Sequence, residues 1–437
     1  MSTRAVVPGE RDLFDLHRRF PEDFPLLLQS VAAHPESGRY DLLFAFPEPV
    51  ALAGRDPFAL LDDVQVQAGP LLPAQDLPFV GGWFFLLGYE SARWVEPGLR
   101  LPASPHGLPD ALLVRCPAAL IYDRDRQVCT LVAERGEADL QRLRAALADR
   151  TPLPPLAEGS LIEPLEEEPG ERYEAGVRRI LDYLRAGDIF QANLSRAWRG
   201  RLRAGADYPA VYAALRRHNP GPFAGLLAWQ GLALLSSSPE RLMRLDQGWA
   251  ETRPIAGTRP RGATPAEDEQ LERSLIGSLK ERAEHVMLID LERNDLGRVC
   301  VPGSVTVSEL MRLERYAHVH HIVSNVRGRL RAGIGPGSAL RAVFPGGTIT
   351  GCPKVRAMEI IAELEAVGRG PYTGTLGYLS RCGRLDSNIL IRSLVCEGRA
   401  ISFRAGAGIV ADSDPAHELA ETRSKARGLR LALEQGR

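Results

Sequence analysis

The sequence predicts an α+β chain, and three features lead there. Short apolar runs separated by Gly, Pro and polar turns dominate roughly the first 150 residues, a strand signature. Beyond a proline-rich connector, Tyr173, Val177, Ile180, Leu181 and Leu184 recur at helical spacing, so residues 171–186 form an amphipathic helix. The chain closes on a further helix whose start signals lie at Asp412-Ser413-Asp414-Pro415, polar cap residues followed by a proline suited to the first turn.

In order, residues 1–20 read as an irregular leader. Phe24–Ser30 and Arg39–Ala45 read as strands joined by the turn His34-Pro35-Glu36-Ser37-Gly38. The run Gly81–Glu90 is too short and glycine-bounded for a membrane helix and reads as a buried strand. Strands follow at Ala111–Val114, Ala118–Tyr122 and Gln127–Val132, then a helix at Glu137–Ala148. Residues 151–170 are proline-rich and acidic, the best linker in the chain. Gly187-Asp188 ends the helix after it, and Ile189–Arg199 reads as a strand carrying Gln191 and Asn193. A helix near 208–217 and strands at 223–229 and 231–237 lead to Pro239-Glu240-Arg241. Thr252–Gly262 reads as a basic, glycine-broken loop, and 266–292 as one long helical stretch running into Asp290–Arg298. Strands return at 304–308 and 316–325, and Asn388–Val395 reads as a buried strand with Arg392 inside it.

Composition narrows the class of function. At 437 residues the chain suits one large domain or two to three smaller ones. A net charge of −1, spread rather than blocked, argues against nucleic acid and against an anionic membrane surface as partners. No apolar run approaches the roughly 18 residues of a membrane span, and the N-terminus lacks the apolar core of a signal peptide, so a cytoplasmic protein is expected. Six cysteines without a CxxC pair fit reduced thiols and exclude a zinc pattern. Lys280, Lys354 and Lys425 are the only lysines, so chemistry that needs a lysine has three candidates.

The most informative stretch is Arg404–Lys425. Gly406-Ala407-Gly408 lets backbone approach a ligand closely. On the helix that follows, Glu418 and Glu421 share a face and could hold one hard cation; two solvated acids on an exposed helix are the other reading. Arg392 needs an anionic partner, either a substrate carboxylate or an internal salt bridge. His318, His320 and His321 lack a cysteine or carboxylate at metal-ligand spacing, which favours one catalytic histidine among structural ones. Gly346–Gly351 has the outline of a phosphate loop but continues Cys-Pro instead of Lys-Ser/Thr, and Gly406–Ala411 has too little chain after it for a dinucleotide fold.

These motifs, above all Pro254-Ile255-Ala256-Gly257-Thr258, Asp290-Leu291-Glu292-Arg293-Asn294-Asp295 and Arg404–Lys425, resemble the chorismate-utilising enzymes over about residues 170–430. That family includes component I of anthranilate synthase and of aminodeoxychorismate synthase, and the isochorismate and salicylate synthases. The resemblance implies two packed antiparallel β-sheets with surrounding helices. It also implies a β-rich segment 1–150 on the same body, a connector at 151–170 and a chorismate-binding catalytic region at 171–437.

The resemblance also implies roles. Glu284, Glu418 and Glu421 match Mg2+ carboxylates. Tyr372, Arg392, Gly406, Ala407, Gly408 and Lys425 match positions around the substrate carboxylates, and Gly257 and Thr258 a loop over the ring. Glu240 matches the acid that helps the 4-hydroxyl leave, and His321 a histidine of the wall; such an acid has to be kept protonated by burial. Gln191 stands where water-using members carry a basic lysine, so ammonia is the expected nucleophile, supplied by a glutaminase subunit. Ala256 replaces the lysine nucleophile of the aminodeoxychorismate branch and matches anthranilate synthases. The N-terminal motifs and Gln191–Ser195 favour the aminodeoxychorismate branch, which is the expectation, with anthranilate synthase component I as the alternative. Ser30 with Pro222, Phe223 and Ala224 matches a tryptophan pocket, or else forms ordinary core.

Overall fold

The computed structural model describes residues 3–32, 38–52, 54–73, 76–315 and 319–436. Its strands assemble into two antiparallel sheets of twelve and ten strands among the described residues. In the first, Leu26–Gln29, Phe223–Trp229, Leu232–Ser238, Ser393–Glu397, Ala400–Ile409, Gln191–Arg201 and Gly351–Cys352 lie side by side in that order. In the second, the order runs Ile255–Pro260, Val319–Arg329, Trp249–Thr252, Arg241–Asp246, Leu385–Asn388, Thr375–Ser380, Gly82–Leu87. Segment 1–150 supplies strands to both, pairing Leu27 with Leu226 in one sheet and Phe85 with Gly377 in the other.

Alternation along each strand makes two faces. The inner faces meet through Leu26, Phe44 and Leu227 of one sheet and Phe84, Leu86 and Leu376 of the other, all fully buried or nearly so. At about 1.5–3 kcal/mol for each such side chain, this layer is a main source of cohesion. On the outer face of the first sheet lie the helices Leu13–Arg19, Tyr208–His218 and Pro415–Gln435. The helices Pro57–Gln67, Leu279–Gly297 and Pro336–Val343 cover the second.

Several expectations change. Residues 1–20 are ordered: Thr3–Pro8 pairs with Val128–Ala133, and a helix over Leu13–Arg19, capped by Asp12, buries Leu13 and Phe14. The turn at His34–Ser37 and His318 lie outside the described residues. The connector 151–170 lies against the sheet, with Glu166–Glu167 pairing with Arg199–Trp198. Thr252–Gly262 contains a strand, Ile255–Pro260, because Val319–Arg329 offers it a pairing edge that local composition does not reveal. The helical stretch 266–292 breaks at Ser278, whose hydroxyl accepts from the Glu281 amide and starts a second helix, Leu279–Gly297. Asn388–Val395 is not one strand: it is interrupted at 389–392, where Arg392 adopts φ 53°.

Candidate active site

At the end of the sandwich where Gln191–Arg201 and Ala400–Ile409 lie side by side, the inner face carries Gln191, Asn193 and Ser195 opposite Gly408 and Gly406. Those pairs leave the ladder: the Asn193 amide donates to Thr350 O and the Ser195 amide to Glu365 Oε1. Residues facing each other outside the bonded pairs turn their own N–H and C=O groups the other way. Gly406 and Gly408 thus present backbone to the open edge, where Gly406 O accepts from Lys425 Nζ at 3.0 Å. A Cβ at Gly408 would meet the Gln191 amide, which lies over it and would have to move. Ala407 has the opposite parity; its side chain is buried with Val177 and Ile180 under the helices, away from the cleft.

Glu240 sits in the turn between Leu232–Ser238 and Arg241–Asp246 and is 5% exposed. Thr348 Oγ1 donates to its Oε1 at 2.9 Å. Burial pushes its pKa up to about 7, against the contrary pull of Thr348, the Ile255 amide, Arg392 and Lys425. A carboxyl so placed holds a proton near neutral pH, as a general acid must.

Arg392 occupies the irregular break between two strands, its carbonyl held by the Ser237 amide at 3.1 Å. Burial lowers its pKa, while Tyr372, Glu240 and Glu421 favour its charge. Among the described residues its guanidinium has no hydrogen-bond or ion-pair partner. The internal salt bridge is therefore set aside, and the fork remains open to an anion. A left-handed φ at a non-glycine residue beside this cleft is a strain that surrounding contacts have to hold.

His321 reaches the cleft from Val319–Arg329. A bulge between Ala256 and Thr258 brings two groups onto its Nδ1, the Thr258 hydroxyl at 3.0 Å and Gly257 O at 3.3 Å. With a carbonyl as partner Nδ1 carries the proton, and Nε2 is the basic nitrogen. Burial lowers the His321 pKa to about 4, so the ring is neutral at pH 7. Ala256 pairs with Ile322 and brings no reactive group.

On Pro415–Gln435, Glu418 and Glu421 share one face. Glu418 is raised by burial and by Glu421; burial also works to raise Glu421, but Lys425, 2.7 Å away, prevails and lowers it. Two hard oxygen donors in that state fit a divalent cation, whose charge would relieve the burial and repulsion. Glu284 lies on Leu279–Gly297, which packs on the strands of the second sheet. The structure does not gather the oxygens of Glu284, Glu418 and Glu421 within 4.8 Å of one another. Asp268, Glu272 and His320 do meet that distance. Arg261 pairs with Asp268 at 2.7 Å and Arg315 with Glu272 at 2.9 Å.

Sequence reasoning missed Thr348, and it missed the buried carboxylate of Glu365. That group gathers Arg369 and Arg404 and accepts from Ser195, while Arg369 also donates to Asn193 O and Ile349 O. Arg369 lies 5.6 Å from the Tyr372 ring centre, so the network sets the back wall of the cleft. Glu365 and Arg369 stand four residues apart, a spacing the sequence does show. Thr348 and Glu240, and Glu365 with Ser195 and Arg404, are distant along the chain, and nothing local marks them. Ser30, Pro222, Phe223 and Ala224 line a separate cavity of about 570 Å³, where Ser30 Oγ donates to Pro222 O.

Residues 48–430 match the model of the chorismate binding enzyme family. The chain is 39% identical to anthranilate synthase component 1 of Streptomyces coelicolor, covering 98% of this chain and 90% of the relative. It is 43% identical to that of Thermus thermophilus, covering 87% and 83%. Among solved structures, anthranilate synthase component I from Streptococcus pneumoniae superposes with a TM-score of 0.80 at 30% identity, over 91% of this chain and 93% of that one. The menaquinone-specific isochorismate synthase of Escherichia coli shares the fold, with a TM-score of 0.77 at 19% identity over 99% and 95%. The names of the relatives overturn the aminodeoxychorismate expectation. Ala256 was the informative residue, and the N-terminal resemblance misled.

Proposed function

Because this chain belongs to the chorismate-binding enzyme family, we propose that it is an anthranilate synthase component I. In this reading it converts chorismate and ammonia to anthranilate, pyruvate and water. What carries the reading is that relatives about 40% identical over most of the chain bear that name. The residues described support it. Glu240 protonates the departing 4-hydroxyl, which leaves as water while ammonia forms the new C–N bond and loses a proton. His321 Nε2 stands as base in the cleft. Arg392 and Tyr372 hold substrate carboxylate, and the Gly406 and Gly408 amides offer further donors to it. Gln191, which cannot activate water, lines the nucleophile's approach. A Mg2+ ion held by Glu421 and Glu418 would neutralise a substrate carboxylate. A glutaminase subunit supplies ammonia, and the 570 Å³ cavity at Ser30 takes a tryptophan-like effector.

The test is to incubate the purified chain with chorismate, Mg2+ and an ammonium salt. Anthranilate fluorescence with one pyruvate per anthranilate is expected; an aminated product that retains its enolpyruvyl group would overturn the reading. Tryptophan should raise the melting temperature, and a Ser30→Trp variant should lose that response.

A further inference from the structure

A second cavity, about 230 Å³, lies further along the same inner face as the catalytic cleft. It is lined by Ala197 and Arg199 of one strand, by Ser402 and Arg404 of its neighbour, and by Val395 and Leu234. Tyr372 is in its wall. Its ring lies 5.6 Å from Arg369, which lines the cavity too.

The charges of the lining are unequal. Arg199, Arg369 and Arg404 contribute three guanidiniums. Glu365 lies behind Arg369 and Arg404 and pairs with both, at 2.7 and 3.0 Å. Glu397 stands on the wall, accepting from the Gly107 amide at 2.6 Å, with His106 Nδ1 3.7 Å away. Burial lowers the His106 pKa, so that ring adds no charge at pH 7. One positive charge is left over. Arg199, exposed, has no hydrogen-bond or ion-pair partner among the described residues. A cavity with apolar walls and an unpaired guanidinium concentrates small carboxylates and repels ammonium. At about 230 Å³ it has room for several waters or for a short acid.

We propose that this cavity is a subsite for a short-chain 2-oxo acid anion, through which the three-carbon product leaves the cleft behind Tyr372. The proposal rests on the reading of the reaction as one that releases pyruvate. Cleavage of the enolpyruvyl ether frees that acid beside Arg392 and Tyr372. Its carboxylate then exchanges the Arg392 fork for Arg404 and Arg199, which lie along the strands towards the far end of the cavity. The ring product remains on the cleft side.

The experiment titrates pyruvate into the full chain by ligand-observed NMR, for wild type, Arg199→Glu and Arg392→Ala. Arg199 is exposed, so its variant keeps the fold, which circular dichroism checks. Binding that survives Arg392→Ala and weakens at least about tenfold in Arg199→Glu is expected. A Val395→Phe variant, which fills the cavity, is expected to slow multiple turnover at least about threefold while single-turnover anthranilate formation is unchanged. Binding lost in Arg392→Ala but intact in Arg199→Glu, or no saturation up to about 10 mM, overturns the subsite. If wild type forms neither anthranilate nor pyruvate, the functional reading fails, and the binding arm still decides the subsite.

Discussion

Thr348 donates its hydroxyl hydrogen to Glu240 at 2.9 Å, joining a glycine-rich loop of the last third of the chain to a buried acid in the turn after Leu232–Ser238. Thr348 and Glu240 are 108 residues apart, and neither announces the other. The bond fixes one carboxyl oxygen, and burial keeps the group protonated until about pH 7. Turnover should therefore fall as pH rises through about 7. Glu240→Gln should lower kcat by about 10²–10⁴-fold across the range. A pH profile of kcat that stays flat to pH 9 would remove Glu240 from the acid role.

The same group makes a stability prediction. A carboxyl raised from 4.5 to about 7 stabilises the fold fully below pH 4.5 and loses that contribution as pH rises through 7. At about 1.36 kcal/mol per pH unit the loss is about 3 kcal/mol. Glu240→Gln is expected to melt higher than wild type at pH 8 and no higher at pH 5. Thermal scans at the two pH values decide it.

Arg392 has a charged fork and, among the described residues, no hydrogen-bond or ion-pair partner. Arg392→Ala should raise KM for chorismate by about 10–100-fold, the worth of a charged hydrogen-bonded pair. Arg392→Lys should recover little, since an ammonium offers no planar fork. Equal KM values for wild type and the alanine variant would show that the substrate does not use it.

Glu421→Gln should weaken the apparent Mg2+ affinity at least about tenfold, measured as the Mg2+ concentration for half-maximal turnover. If turnover and its Mg2+ dependence survive unchanged, the cation is held elsewhere.

Glu365 compensates two buried guanidiniums at once. Glu365→Ala leaves Arg369 and Arg404 without their anion inside the protein and should cost about 3–5 kcal/mol. Urea unfolding is the measurement, and a loss below about 1 kcal/mol would mean that water reaches the pair.

Local pattern was enough for much of the fold. The helix at Glu137–Ala148 and the strands Gly82–Leu87 and Phe223–Trp229 are legible, because apolar spacing and glycine or proline stops are properties of neighbouring residues. The strand Ile255–Pro260 was not, because strand pairing is decided by an edge far along the chain. Glu418 and Glu421 fall on one face by helical geometry alone, whereas the position of Glu284 relative to them depends on how two helices pack.

By itself, then, the sequence determined the family and the order of most elements and nominated candidate site residues, since all three are carried by residue type and spacing. Only tertiary structure decided which of those side chains is protonated, paired or open. The proton on Glu240, the neutral ring of His321 and the unpaired fork of Arg392 arise from burial and from partners more than sixty residues distant in the chain. Desolvation and hydrogen bonding act through space, and no local pattern encodes them.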